Sequence, residues 1–448
     1  MSRSVIDRLM GSLAGVAGGI VKPRSVRRAD QLAQLLRTLI SERGEATGAV
    51  LARRSLQLYA GLDEEGRRHF FDLLAKEFSP NPDAVLAAAQ AYHRDPSPRN
   101  LAHLQHVAEP PRQEVFRRMN MAPDGTATLV GLRLALLKEL KDQPHLTVVD
   151  QDLTHLLGSW FNRGFLELRR IDWRTPASIL EKLITYEAVH EIHGFPDLKR
   201  RLERDRRCFA FFHPALKDEP LIFVEVAFTD QLPSEVAPIL SMESAVGDPR
   251  RAKCAVFYSI TSCQEGLKGI SFGNFLIKQV AADLHAELPN LRTFATLSPI
   301  PGLRRWLERT VDQAERWSSE TERENVKAWL SNPQTALPGE PLRHVLEALA
   351  ARYLTREWDG GHVLDPVARF HLGNGSRLER INWGADHSAK GMKQSFALMV
   401  NYVYDLDDVE RNHEDYVNKH HVVCSSVVER LAESVLLDSL TTPISGKR

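Results

Sequence analysis

Three short stretches of this chain hold side chains that can do chemistry. In "VARFHLGNGS", residues 367–376, His371 stands two positions before Gly373. Imidazole is the side chain whose ordinary pKa lets it give or take a proton near neutrality. Read as a strand, the segment sets Val367, Arg369 and His371 on one face and Ala368, Phe370 and Leu372 on the other. Gly373-Asn374-Gly375 then makes a hairpin turn into "SRLERINW". On this reading His371 is either a packing residue with a polar edge or a proton carrier held beside a turn.

"TLSPIPGLRRW" ends a predicted strand at Ser298 and runs into a predicted helix. Pro299 biases the serine to extended geometry and holds its hydroxyl at the strand end, as a turn or capping group or as a reacting one. A hydrolase nucleophile elbow is disfavoured. In that motif the residue after the serine donates its amide to the oxyanion, and proline has no amide proton. A functional Ser298 would hydrogen-bond a substrate or relay a proton.

Between the strand-like "CAVFYSIT" and a helical pattern from Ser271 lies "SCQEGLKGISFGN", with Gly266, Gly269 and Gly273. Glycines there let backbone amides approach a ligand, and the free amides that open the next helix favour an anion such as pyrophosphate. Lys268 and Lys278 add positive charge. The spacing fits neither the dinucleotide fingerprint nor the P-loop, and a plain flexible loop is the alternative. The segment is similar to the coenzyme A loop of GNAT-type acetyltransferases, [RQ]-x-x-G-x-[GA]. Here Lys268 replaces the Arg or Gln and Ser271 the first Gly of that pattern.

The elements that must position these groups fall into two halves. Up to about residue 170 the periodicity is helical, with Leu32, Leu35, Leu36, Leu39 and Ile40 on one face and Phe70, Phe71, Leu74 and Phe78 on another. "SPNP", "DPSPRN" and "EPP" punctuate it with proline, which predicts about five or six helices of a bundle. Thr175 is placed to cap the next helix, with Pro176 at its first position. Beyond it "RCFAFFHPAL", "EPLIFVEVAF", "CAVFYSIT" and "LRTFATLS" have strand composition and alternate with helical patterns. The fold class is therefore α+β: a helical domain at 1–175, a scaffold or oligomerisation surface, followed by a mixed α/β domain at 176–448.

Bulk composition narrows the function. Lys plus Arg equals Asp plus Glu at 58 each, so a nucleic acid partner has little electrostatic support. No apolar run approaches the roughly 20 residues of a membrane span. The four cysteines show no C-x-x-C pair, which argues for a reducing compartment and against structural zinc. Cytosol is the expected location, although the arginine- and glycine-containing first 30 residues also fit an organellar presequence. A metal site at His413, Glu414, Asp415, His420 and His421 is the weaker reading of "HEDYVNKHH", because those spacings suit no single helix face; the acidic run around it reads as a solvated loop.

Taken together, "FYSITSCQEGLKGISFGNFLIK", "LSPIPGLRRWL", "DPVARFHLGNGSRLERINWGAD" and "NYVY" resemble malonyl-CoA decarboxylase over most of residues 176–410. The resemblance implies a helical domain used for self-association into a dimer or tetramer, and a GNAT-like catalytic domain. The activity it implies is loss of carbon dioxide from malonyl-CoA, leaving acetyl-CoA. It places the coenzyme-binding loop on Lys268, Gly269, Ile270, Ser271, Phe272, Gly273 and Asn274, and the catalytic serine and histidine on Ser298 and His371. Tyr404 of "NYVY" matches a tyrosine near the family's site. The thioester carbonyl itself accepts the electron pair released with carbon dioxide, so no organic cofactor or metal is expected, and coenzyme A enters as part of the substrate. Ser298 would orient the malonyl group and accept a proton, and His371 would donate one. The rival readings are a GNAT-type acyltransferase, which needs an acceptor, and a non-catalytic acyl-CoA sensor. Arg304, Arg305, Lys390 and Lys393 are further basic residues that could contact phosphates, with none of them singled out.

Overall fold

Proline and short polar side chains set the helix boundaries of the first half. Asn81 accepts from the amides of Asp83 and Ala84 ahead of Pro82, and Ser97 accepts from the Asn100 amide ahead of Pro98. Asp63 caps the preceding helix through the Gly66 amide. These are the positions where a cap satisfies amides that have no partner within the helix. The computed structural model describes residues 23–434 apart from 42–43, 271–275, 318, 332–336, 338 and 341. Among them, eight α-helices precede residue 165, more than the periodicity predicts: Arg24–Leu39, Gly44–Ala60, Glu64–Glu77, Pro82–Arg94, Pro98–Ala108, Pro111–Asn120, Gly125–Glu139 and Thr147–Trp160. Leu32, Leu36, Leu39, Phe70, Phe71, Leu74 and Phe78 are all buried in their core.

The chain divides into two compact units. Of the described residues, the first takes those up to 165 with two excursions, 214–217 and 264–270, and the second takes the others. The second is built on an eight-stranded sheet, so the chain is α+β as expected. Its strands, with a separate small hairpin numbered in sequence, are β1 (Glu167–Ile171), β2 (Arg206–Phe212), β3 (Pro220–Thr229), β4 (Cys254–Ser262), β5 (Thr293–Thr296), β6 (Ser298–Pro299), β7 (Trp358–Asp359), β8 (His362–Val363), β9 (Arg377–Asn382) and β10 (Met399–Tyr404). The order is β1-β2-β3-β4-β5-β10-β6, with β9 also on β10, and β7 pairs with β8 apart from it. The segment 167–171, placed with the helical half by the sequence, is thus an edge strand. β2 is buried throughout and β3 for all but its last residue. Sheets covered on both faces give such unbroken apolar runs.

One junction in this sheet sets up the site. β4 and β5 run parallel from Cys254↔Thr293 to Phe257↔Thr296, closed by a 3.1 Å bond from the Leu297 amide to the Phe257 carbonyl. The chain then leaves β4 and follows β10, where Ser298 pairs with Val400 and Pro299 with Met399. β4 continues alone on that side to Ser262.

Three local expectations are corrected. "VARFHLGNGS" is not a strand and hairpin: Pro366–Gly373 is a helix. Its start signal is Asp365-Pro366, with the Asp365 carboxylate accepting from the Val367 and Ala368 amides at 3.0 Å each. Gly375, read as a hairpin residue, ends the helix at φ +80°, and a Cβ there would meet the Val409 carbonyl at 2.0 Å. A glycine in that conformation serves a helix C-terminus as well as a turn. Thr175 does not cap the helix Ala177–Tyr186; its hydroxyl accepts from the Asp172 amide instead. The acidic run also differs from its loop reading, since Val409–Lys419 is helical.

Candidate active site

Alternation along two neighbouring strands brings the reactive groups to one face. Thr296 and Ser298 are two residues apart on the β5–β6 segment, and Tyr402 and Tyr404 are two apart on β10. The helix Pro366–Gly373 supplies His371, whose ring stacks on Tyr402 with centroids 4.7 Å apart and planes 28° apart. His371 Nε2 lies 3.0 Å from Ser298 Oγ, and Nδ1 lies 2.8 Å from the Tyr404 hydroxyl. Ser298 Oγ donates to Thr296 Oγ1 at 2.9 Å, and Thr296 Oγ1 also accepts the Tyr402 amide at 3.2 Å. Thr296, Ser298, His371 and Tyr404 are all at least 95 % buried.

Burial fixes the protonation of this chain of groups. It lowers the His371 pKa to about 3. It raises the Tyr404 phenol well above its ordinary value, against the opposing effect of the neighbouring Ser376 hydroxyl. Taking a charge out of water disfavours the charged form in both cases. The resting site therefore holds a neutral imidazole and a neutral phenol near pH 7. Since Ser298 gives its proton to Thr296, it receives the Nε2–H, and Nδ1 accepts from the Tyr404 hydroxyl. The bonds run one way, Tyr404 to His371 to Ser298 to Thr296. Such an arrangement can hand a proton to an acceptor beside Ser298 and draw a replacement from the tyrosine side.

The sequence-predicted residues do not all meet here. Ser298, His371 and Tyr404 come together. Thr296 and Tyr402, not singled out from the sequence, complete the set; their i, i+2 spacing from Ser298 and Tyr404 was the available signal. Lys268, Gly269 and Ile270 lie on a loop of the first unit, whereas Ser271, Phe272, Gly273 and Asn274 lie outside the described residues. Arg133, paired with Asp150 at 2.8 Å, donates to the carbonyls of Gly266 and Lys268 at 2.9 and 2.8 Å. Gly266 has no room for a side chain, because a Cβ would meet the Val130 carbonyl at 2.2 Å.

Of the basic residues named for phosphates, Arg304 pairs with Glu308 and lies over the Phe396 ring, and Lys390 donates to the Ala188 and Val189 carbonyls. Arg305 and Lys393 are exposed. Three residues of the weaker metal reading have other partners. His413 Nδ1 meets the Gly373 carbonyl, Asp415 pairs with Lys419, and His420 sits edge-on to Trp358. Among the described residues no group of three His, Cys, Asp or Glu side chains is arranged to hold a metal.

Comparison with known proteins agrees along both units. The profile described as "Malonyl-CoA decarboxylase C-terminal domain" matches residues 164–441, and that of the corresponding N-terminal domain matches 78–161. The mitochondrial malonyl-CoA decarboxylase of Anser anser anser is 33 % identical over 417 residues, 84 % of this chain and 82 % of that protein. The Rattus norvegicus enzyme of the same name is 34 % identical over 352 residues, 72 % of each. Crystal structures of malonyl-CoA decarboxylase from Rhodopseudomonas palustris and Agrobacterium vitis are 48 % and 46 % identical. Each has a TM-score of 0.83 and covers 90 % of this chain and 99 % of the other.

Proposed function

Because the chain belongs to the malonyl-CoA decarboxylase family, we propose that it is a carboxy-lyase converting malonyl-CoA to acetyl-CoA and carbon dioxide, with Ser298 and His371 as its reacting pair. The observation that carries the assignment of roles is the buried line of hydrogen bonds from Tyr404 through His371 to Ser298. In the reaction the bond between the malonyl methylene carbon and its carboxylate breaks. The electron pair passes into the thioester as an enolate, carbon dioxide departs, and the carbon takes up one proton. No organic cofactor is needed for this sequence of events, and coenzyme A arrives as part of the substrate.

Each residue has a task in that sequence. Ser298 orients the malonyl group and exchanges a proton with His371. His371 delivers its Nε2 proton toward the nascent carbanion, the Tyr404 hydroxyl resupplies Nδ1, and a proton from solvent restores the phenol as the product leaves. A neutral imidazole suffices as donor, because a thioester carbanion is a stronger base than the imidazolate that donation would leave. The substrate carboxylate also favours imidazolium once bound, as an opposite charge in a dry site. The loop Lys268–Asn274 holds the coenzyme phosphates.

The helical domain serves self-association into a dimer or tetramer. Its helices Pro82–Arg94 and Pro98–Ala108 leave Leu86 and Leu101 exposed, and only Ala88 of the two is buried. No helix among the described residues is long and apolar enough to cross a membrane. The four free cysteines fit a reducing compartment, and the cytoplasm is the location proposed.

The test is to incubate the purified protein with malonyl-CoA alone and assay carbon dioxide and acetyl-CoA. An acyltransferase would show no turnover without an acceptor, and a sensor would leave malonyl-CoA intact.

A further inference from the structure

The contact between Ser298 and His371 joins two segments far apart in sequence, and it is only as good as the anchoring of each. Both anchors lead to one carboxylate. Asp365, 0 % exposed, caps the helix that carries His371 on its second turn, accepting from the Val367 and Ala368 amides through Oδ1. Its other oxygen, Oδ2, accepts from the Gly302 amide at 3.3 Å. Gly302 follows Ser298-Pro299-Ile300-Pro301 directly, a run in which two prolines remove backbone freedom. The Tyr353 hydroxyl bonds the same carboxylate and closes the junction. Any side chain at Gly302 would meet that hydroxyl at 2.1 Å, so the loop can approach this closely only as glycine.

Capping alone does not need this arrangement. A serine or threonine would satisfy the helix amides, and a carboxylate held dry is costly: burial raises the Asp365 pKa to about 6 against the pull of three amides and the phenol. The second oxygen has a different use. It ties the exit of the strand bearing Ser298 to the start of the helix bearing His371.

We infer that Asp365 is a positioning residue which sets the Ser298–His371 distance by bridging the Gly302 amide and the N-terminus of the His371 helix. This rests on the assignment of Ser298 and His371 as the reacting pair. Among the described residues no hydrogen bond joins Asp365 to the imidazole or the serine hydroxyl, so its influence runs through the backbone of both arms.

The experiment compares wild type, Asp365→Ser, Asp365→Asn and His371→Asn. Serine keeps the cap and loses the bridge; asparagine keeps one acceptor and turns an amide donor toward either the cap or Gly302. Each protein is assayed for kcat with malonyl-CoA and for the Kd of acetyl-CoA, and the nitrogen-15 signals of the His371 ring are recorded. The expected result for Asp365→Ser is a kcat lower by about a hundredfold, the scale of a 1 Å misplacement. The Kd for acetyl-CoA should stay within about twofold, with shifted His371 ring signals, since a geometric fault belongs to the reacting pair alone. Asp365→Asn is the second variant should serine not fold, with the same pattern and a smaller loss. Unchanged kcat in the folded variants, or kcat and Kd moving together with the imidazole signals in place, overturns the inference. If His371→Asn itself keeps wild-type turnover, the assignment of the pair fails instead, and the two failures are distinguishable.

Discussion

Ser298 Oγ lies 3.0 Å from His371 Nε2 although 73 positions separate the two residues. Neither segment is unusual alone: one is a strand end followed by proline, the other a short capped helix. Their meeting turns a polar side chain on each into a directed proton path in a dry site. The first expectation tests that path directly. His371→Asn should lower kcat by about a hundredfold to ten-thousandfold, the range of a placed general acid, while malonyl-CoA binding persists. Acetyl-CoA formation at saturating substrate is the measurement, and normal turnover by folded enzyme would rule the role out.

The two tyrosines of β10 should separate cleanly. Tyr404 supplies the hydrogen bond to Nδ1, whereas the buried Tyr402 hydroxyl has no hydrogen-bond partner among the described residues and only its ring stacks on the imidazole. Tyr404→Phe should cost about tenfold in kcat, equivalent to about 1.4 kcal/mol of transition-state stabilisation. Tyr402→Phe should leave kcat within about twofold and not lower thermal stability, because it removes a buried polar atom that nothing satisfies. Equal losses in both variants would contradict the direction assigned to the hydrogen bonds.

His371 should remain neutral in the free enzyme across the physiological range. Its folded pKa, lowered to about 3, lies below the ordinary 6.5, so the fold favours the uncharged ring. The corresponding contribution to stability is complete above pH 6.5 and is lost as the pH falls from there toward 3. Nitrogen-15 spectra should show His371 ring signals that do not titrate between about pH 5 and 8. A site histidine titrating near 6.5 would show that the ring is not held dry.

The glycine loop should govern substrate binding more than chemistry. Arg133→Met removes the donor shared by the Gly266 and Lys268 carbonyls, and Gly266→Ala forces a methyl group against the Val130 carbonyl. Both should raise KM for malonyl-CoA by about tenfold with kcat less affected, the pattern of lost uniform binding. A fall in kcat at unchanged KM would detach the loop from coenzyme recognition.

Self-association should respond to the hairpin of Pro82–Arg94 and Pro98–Ala108. Leu86→Glu combined with Leu101→Glu puts charge on two exposed apolar positions, where surface changes alter stability by about 0.5 kcal/mol at most. Sedimentation should show smaller assemblies with an unchanged melting temperature. If the assembly is unaltered, the interface lies elsewhere.

The sequence by itself determined the α+β order, the positions of β2 to β5 and the chemical types at 298, 371 and 404, because alternation, proline punctuation and reactive side chains are local properties. It did not determine the element that carries His371. Gly375 supports a hairpin and a helix end equally, and the deciding signal was Asp365-Pro366 at the other end of the segment. Thr296 and Tyr402 offered only their i, i+2 spacing from Ser298 and Tyr404, for a related reason: a threonine and a tyrosine in strands are ordinary until a neighbour needs their oxygen or ring. Only tertiary structure decided that the imidazole would be dry and neutral, since desolvation comes from atoms contributed by β10, the β5–β6 segment and residues far along the chain. It also decided the contact distance, because that depends on where two rigid arms are tied and not on what either arm contains.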